Sequence, residues 1–357
     1  MPQLSNETLD MLILLAPWTV MALACVSVLL LMLRCHRAAL ACAVVLLLLN
    51  GLTEQIPLRM KRDVPKVKPA GTLRVMEYNI CGKVEYAEVH KNDSFLTFIK
   101  DMDADILFLP ENTIGVCPVL EEMLHELYPY SLHDFEEFEQ KAKNYADFSI
   151  YSRYPLSHYK NYVVDKEAVL NGRPYLDAAQ ARVLNGDFLA YEVTADIGGK
   201  PVTLLHLHLR SNTYEWAQSE SSGHRDELIN VYRRLQMGYS FRREESSVVC
   251  DSLHDCPNPL LICGDFNDLS GSYCVRKIQD CRHDNVHPGH RDRLQDAWWN
   301  GGQGLGTTYA DHHLHLRIDH IFYSREFDLQ SVSVPHVTFS DHYPLVADFI
   351  LQQDTPQ

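Results

Sequence analysis

The stretch "LLICGDFNDLSG" (260–271) ends an apolar run with a carboxylate, Asp265, and an amide, Asn267, two positions apart. In an extended chain residues i and i+2 share a face, so both side chains can address one ligand. Gly264 beside them leaves room for a close backbone approach. The same spacing also suits an Asx turn capping a following helix, and this reading stays open on these residues alone. Other residues of the same kind also stand where apolar runs end. They are Asn79 in "EYNI", Glu111 in "ILFLPEN", His208 in "LHLHLRSN", Asp319 with His320 in "RIDHIF", and Asp341 with His342 in "SDHYPL". Ligand sites form at strand ends, where loops converge over a rigid sheet. So many polar strand ends predict one cluster of Asp, Asn, Glu and His.

Carboxylate and amide oxygens with few thiols are hard ligands that suit Mg2+, with Mn2+ as the alternative ion. Magnesium commonly takes one or two protein carboxylates and leaves its other positions to water and phosphate. Glu111, directly after "ILFLP", is the most ligand-like, against the plainer reading of an exposed loop acid. Asp319 and His342 suggest a carboxylate that holds an imidazole in one tautomer and stabilises its charged form. The plainer reading of His342 is a satisfied turn histidine before Pro344. His206 and His208 are two apart and share a face, so either could reach the cluster, or both could line a polar sheet face open to solvent.

The elements that must position these groups follow from periodicity. "TLRVMEYNI", "ADILFLPEN" and "NPLLICGDFND" read as buried strands, and "DFLAYEVTADIGGKPVTLLHLHLRSN" as a hairpin about Gly198-Gly199. "RIDHIFYSREFDLQSVSV" and "YPLVADFIL" close the chain as strands. "SFLTFIKDMD", "CPVLEEMLHELY" and "RDELINVYRRLQMGYSFRREE" have helical spacing.

These motifs occur together with "IYSRYPL", "CGDFND", "RIDHIFYS" and "SDHYPLVADF" in the order and context of the endonuclease/exonuclease/phosphatase superfamily, which the chain resembles over roughly residues 72–351. The resemblance implies an α/β fold, a four-layer sandwich of two mixed β-sheets flanked by helices, and metal-dependent cleavage of a phosphoester bond. It implies that Glu111 is the principal Mg2+ ligand with Asn79 beside it and Asp341 a further acid near the metal. Asp265 resembles the group that orients or deprotonates the attacking water, and Asn267 the amide that holds nucleophile and phosphate. His208 and His342 resemble phosphate-binding, charge-stabilising groups, and Asp319 the orienter of His342. Cys81 departs from the pattern, because several nucleases of the family carry an acid two residues after the motif Asn.

Composition bounds the substrate and the setting. The 357 residues are 46% apolar and carry a net charge of −15. Residues 1–70 hold seven of the Lys and Arg residues and four of the acids, so the remainder is more acidic than the whole chain. Such a body repels polyanions, which disfavours a nucleic-acid partner because non-specific binding needs cationic side chains. Met11 to Leu33 contains no charged residue, and Ala38 to Leu52 is a second apolar run. A helix needs about 20 such residues to span a bilayer. We therefore expect N-terminal transmembrane helices, with residues 1–60 a membrane anchor of one or two of them. Residues 61–71 are expected as a basic, proline-containing linker, 72–351 as the catalytic domain and 352–357 as a tail.

Cys250/Cys256 and Cys274/Cys281 are spaced as disulfides could be, which leans towards an extracytoplasmic domain. A tether and an acidic body favour a lipid-linked or small phosphorylated substrate. The rivals are a surface nuclease and a non-catalytic binding module. For the nuclease, Arg225, Arg233, Arg234, Arg242 and Arg243 could present a basic helix face. The histidine-rich segments "CRHDNVHPGHRDR" and "ADHHLHLRID" read as polar loops that could line the substrate mouth.

Overall fold

The computed structural model describes residues 12–58, 67–80, 93–112, 118–133, 146–163, 188–211, 224–282, 293–311 and 314–352. Cys81 lies outside them, as does most of the first histidine-rich segment. Two apolar helices come first, α1 (Ala16–Met32) and α2 (His36–Thr53). The domain then runs β1 (Leu73–Glu77), α3 (Asp93–Met102), β2 (Ile106–Asn112), α4 (Pro118–Leu127), β3 (Tyr130–His133), β4 (Ala146–Ser152), β5 (Leu156–Val163), β6 (Phe188–Ile197) and β7 (Lys200–His208). After the long α5 (His224–Leu253) come β8 (Leu260–Asp265), α6 (Tyr273–Gln279), β9 (Gln295–Asp296) and α7 (Ala297–Gly301). The short hairpin β10 (Tyr309–Asp311) and β11 (Leu314–Leu316) precedes β12 (Asp319–Tyr323), β13 (Phe327–Ser333) and β14 (Leu345–Leu351).

Two six-stranded sheets result, ordered β13-β14-β1-β2-β4-β3 and β5-β6-β7-β8-β12-β9. Each is mixed: β1 pairs with β2 and β7 with β8 in parallel, whereas the other named pairs run antiparallel. Alternation along the strands explains the layers. Leu73, Val75, Ile106, Phe108 and Ile150 of one sheet meet Val202, Leu204, Leu261, Cys263 and Ile321 of the other in a shared core. The residues between them face outward. Met76, Leu107 and Leu109 pack under Phe95, Ile99 and Leu124 of α3 and α4. Leu205, Leu207 and Ile262 pack under Val249, Leu253, Val275 and Ile278 of α5 and α6. This helix–sheet–sheet–helix stack is the expected four-layer sandwich.

Several local expectations meet a different outcome. Gly264 does admit a close backbone approach, but of a neighbouring strand rather than a ligand: a Cβ at its φ of +151° would lie 1.7 Å from the Leu207 carbonyl oxygen on β7. Lys68, placed in the linker by composition, pairs with Asp105 and is already tied to the domain. Cys250, Cys256, Cys274 and Cys281 are free, buried thiols. The Cys274 thiol turns to Asp268 and that of Cys250 to the Lys277 carbonyl, so neither expected pair is formed. Arg242 is wholly buried against Asp268 and the Arg210 carbonyl, so it belongs to no exposed basic face. "ADHHLHLRID", read as a loop, contributes the β10–β11 hairpin.

Candidate active site

Each inner-face series ends in a polar group at one end of the sandwich. On β1 the series Leu73, Val75 continues to Glu77 and then Asn79. On β7, Val202 and Leu204 lead to His206 and His208, and on β8, Leu261 and Cys263 lead to Asp265. Strand register brings these ends level. His208 stands beside Asp265 across the parallel β7–β8 pair, and Asp319 opposite Asp265 across the antiparallel β8–β12 pair. Glu111 is the penultimate residue of β2, and His342 precedes β14, the antiparallel neighbour of β1.

The groups converge. Asn79 Nδ2 donates to Asp265 Oδ2 at 3.0 Å and to Glu111 Oε1 at 3.3 Å, tethering the two carboxylates. His208 Nε2 lies 3.7 Å from Glu111 Oε1 and 3.9 Å from Asp265 Oδ2. His342 Nε2 lies 3.8 Å from Asp265 Oδ2, and its Nδ1 is 2.9 Å from Asp319 Oδ2. The other Asp265 oxygen, Oδ1, accepts the Asn267 backbone N–H at 2.7 Å. The Asx turn and the cluster are therefore both present, one on each oxygen. The Asn267 side chain donates from Nδ2 to the Leu209 carbonyl. Asp341 sits at the margin, its carboxylate accepting from the Ser340 hydroxyl.

Glu111 and Asn267 both have left-handed backbones, φ 50° and 49°. Asn adopts that region with local hydrogen bonding, whereas for Glu it costs about 1–2 kcal/mol. Such outliers gather at functional sites. At Glu111 the strain accompanies a carboxylate still one-third exposed and turned into the cluster.

The two inner-face histidines part company. His208 is the one that reaches the cluster. His206 is buried between the rings of Phe108 and Phe148, centroids 5.3 and 5.1 Å away, and its ring nitrogens have no partner among the described residues. Burial, helped by the charge on His208, holds His206 well below the usual imidazole range, so it is neutral.

Electrostatics separate the remaining roles. Burial alone would lower His342, but Asp319, by charge and by hydrogen bond, then Asp265 and Asp341, outweigh it and raise it to about 9. Burial pushes Asp265 up and Asp319 adds to this, while His342, His208 and the Asn267 N–H hold it back, leaving it at about 6. One ligand atom each from Asp265, Asp319 and His342 lies within 4.8 Å of the others, a grouping that could hold a metal ion. Within this grouping Asp319 and His342 are already hydrogen-bonded to each other. Glu111 and Asp265, tethered through Asn79, supply the remaining hard oxygens of the cluster. They fit a hard divalent cation.

Four groups carry the arrangement without having been singled out by sequence. Glu77 is fully buried, and burial first, then the charges of Asp319 and Asp265, push its carboxyl well above the ordinary range. Neither Glu77 oxygen nor Asp319 Oδ1 has another partner among the described residues, so a proton on Glu77 supplies the donor that Asp319 accepts. Thr308 Oγ1 accepts the backbone N–H groups of Ile318 and Asp319. Tyr309 packs edge-on against His342, centroids 5.0 Å apart. Arg317 is buried among Asp296, His320 and Ser270. Only Glu77 left a signal, an acid that follows Leu73 and Val75 on the inner face of its strand.

The sequence matches the Endonuclease/Exonuclease/phosphatase family over residues 76–342, and the chain belongs to it. It is thereby an enzyme of phosphoester hydrolysis, in a family generally dependent on divalent metals. Among solved structures it is similar to the endonuclease/exonuclease/phosphatase from Beutenbergia cavernae, at 19% identity and a TM-score of 0.52 over 79% of this chain and 72% of that one. The 3′ phosphatase NExo from Neisseria, bound to a product DNA hairpin, aligns at 16% identity and a TM-score of 0.49 over 78% of this chain and 99% of that one. ANGEL2, a 2′,3′-cyclic phosphatase, aligns at 17% and 0.49 over 82% of this chain and 99% of that one. No curated protein matches the chain.

Proposed function

We propose a membrane-anchored, Mg2+-dependent phosphodiesterase or phosphatase that acts on a lipid-linked or small phosphorylated substrate by in-line attack of water. The observation that carries this reading is the convergence of Glu111, Asn79, His208, Asp265 and the Asp319–His342 pair in one cluster. Glu111, with Asn79 beside it and Asp341 as a further acid, would hold the ion. When bound, Mg2+ supplies neutralisation of phosphate charge. Asp265 orients the attacking water and takes its proton. His342, held cationic by Asp319, and His208 stabilise the charge gathering on the phosphoryl oxygens, and Asn267 would hold the nucleophile and phosphate. Positioning and charge neutralisation are most of what phosphoryl transfer requires.

The anchor rests on α2, which is long and apolar enough to cross a membrane by length and composition. Helices α1 and α2 have 17 and 18 residues. At 1.5 Å per residue each is about 26 Å long, close to the roughly 30 Å of a hydrocarbon core. Their exposed residues include Met21, Val28, Leu29, Leu31, Leu40, Val45 and Leu48. Such a surface suits lipid contact, and an enzyme tethered there meets lipid headgroup phosphates at high local concentration.

The test is the full chain in detergent micelles with Mg2+ or EDTA. The substrates are bis-p-nitrophenyl phosphate, plasmid DNA, sphingomyelin and lipid pyrophosphates. Hydrolysis of a lipid or small phosphoester that EDTA stops is expected, and Asp265→Ala or His342→Ala should lose at least about 10²–10³-fold in kcat. Preference for plasmid DNA would replace the substrate reading with that of a surface nuclease. Wild-type activity in Asp265→Ala would overturn the mechanism.

A further inference from the structure

The apolar hairpin is not held to the catalytic domain by its linker alone. Its base is seated on the loop that follows the Asp265–Asn267 turn. At one foot, Ile13 packs with Leu269 and Ile318. At the other, α2 ends at Thr53 and the chain turns left-handed at Glu54, φ 52°. Gln55, 5% exposed, then donates from Nε2 to the Thr53 carbonyl at 2.8 Å and to the Ser270 carbonyl at 2.7 Å. Backbone meets backbone here, since a Cβ on Gly271, φ +84°, would lie 2.8 Å from the Thr53 Cα.

Arg317 continues the contact inward. Its Nη2 donates to the Glu54 carbonyl at 2.9 Å and to the Ser270 hydroxyl. Its Nη1 donates to Asp296 Oδ2 at 2.8 Å and lies 3.1 Å from His320 Nδ1. The other nitrogen of His320, Nε2, is 3.0 Å from the Asp268 carbonyl. Arg317 stands two residues before Asp319, which holds His342, and Ser270 stands five after Asp265. The end of the hairpin thus touches both segments that carry catalytic groups, through groups that are buried and hydrogen-bonded.

We propose that the hairpin is a working part of the active site, with Gln55 and Arg317 as positioning residues that couple its seated end to the Asp265 turn and to the Asp319–His342 pair. The kinetic half of this inference rests on the hydrolase reading above; the structural half does not. A seated hairpin fixes the loop 268–272 and the start of β12, and an unseated one releases both. The apolar span in the bilayer and the phosphate chemistry are then one mechanical unit.

The experiment uses the full chain in detergent micelles and the variants Gln55→Ala and Arg317→Lys, the latter keeping the charge and losing the planar fork. Amide hydrogen exchange over 265–272 and 317–323 is read alongside kcat and KM on bis-p-nitrophenyl phosphate with Mg2+. Exchange in both segments should rise about tenfold in each variant, as expected for opening after loss of a buried hydrogen bond. kcat should fall about tenfold at unchanged KM, well below the melting temperature, because only transition-state positioning is lost. Unchanged exchange in both segments overturns the coupling, whatever the activity. Raised exchange with unchanged kcat overturns the positioning role. A wild-type chain that hydrolyses nothing would sink the hydrolase reading alone, since the exchange result still decides the coupling.

Discussion

The Asp319–His342 contact sets the charge state on which the cluster depends. Asp319 gives His342 its cation and, from the far side, receives a proton-bearing Glu77. Replacing Asp319 with Asn removes the counter-charge at constant shape. We expect kcat to fall about 10²–10⁴-fold with a small change in KM, by analogy with the orienting carboxylate of a Ser-His-Asp triad. Because His342 is raised to about 9, its cation is present below that pH and lost above it. The basic limb of the wild-type pH–rate profile should therefore fall near pH 9, and in Asp319→Asn it should move to lower pH. Glu77 gives a prediction of opposite kind. Its raised pKa means the unfolded chain gives up a proton, as pH rises past the ordinary Glu range, that the folded chain keeps, so folding loses stability with rising pH. Glu77→Gln removes that loss, and its Tm should exceed the wild type by a margin that grows from pH 5 to pH 8.

At the scale of elements, register is what makes the site. Side chains alternate with period two, so a slip of one residue in the β7–β8 or β8–β12 pairing would turn Asp265 out of the inter-sheet face. Gly264 guards the first of these pairings, since any side chain there collides with the Leu207 carbonyl. Gly264→Ala should cost more than about 3 kcal/mol or prevent soluble folding, read as a fall in Tm or loss of the folded chain on purification. The core beneath is ordinary by comparison. Phe108→Ala should destabilise by about 3–5 kcal/mol through the cavity it leaves, and it should also loosen His206, against which Phe108 packs edge-on.

At the scale of the whole molecule, the apolar helix pair and the catalytic domain share an interface. A chain beginning at Gly71 would bare Leu269 and Ile318 and leave Arg317 without the Glu54 carbonyl. Such a fragment should melt at lower temperature than the full chain and bind a hydrophobic dye more strongly. An equal melting temperature would show the interface to be energetically idle.

Much of this was legible in the residues. The motifs from "EYNI" to "SDHYPL" named Asn79, Glu111, His208, Asp265, Asp319 and His342 because polar groups ending apolar runs break a pattern that is local along the chain. The strands, the Gly198-Gly199 hairpin and the apolar N-terminus followed from the same local periodicity. Glu77, Thr308, Tyr309 and Arg317 were not legible, nor was the choice between His206 and His208. Glu77, Tyr309 and Arg317 owe their parts to neighbours far away in sequence: Glu77 to Asp319, Tyr309 to His342, Arg317 to Glu54. The cysteines failed as a guide for the same reason, since spacing says which thiols are near along the chain and not which way each faces. The sequence by itself determined which chemistry was present and on which elements, because side-chain type and hydrophobic period are properties of a short segment. Tertiary structure alone decided which carboxylate is neutral, which histidine is charged and what the hairpin leans on, because burial and Coulombic fields depend on groups that only folding brings within a few ångströms.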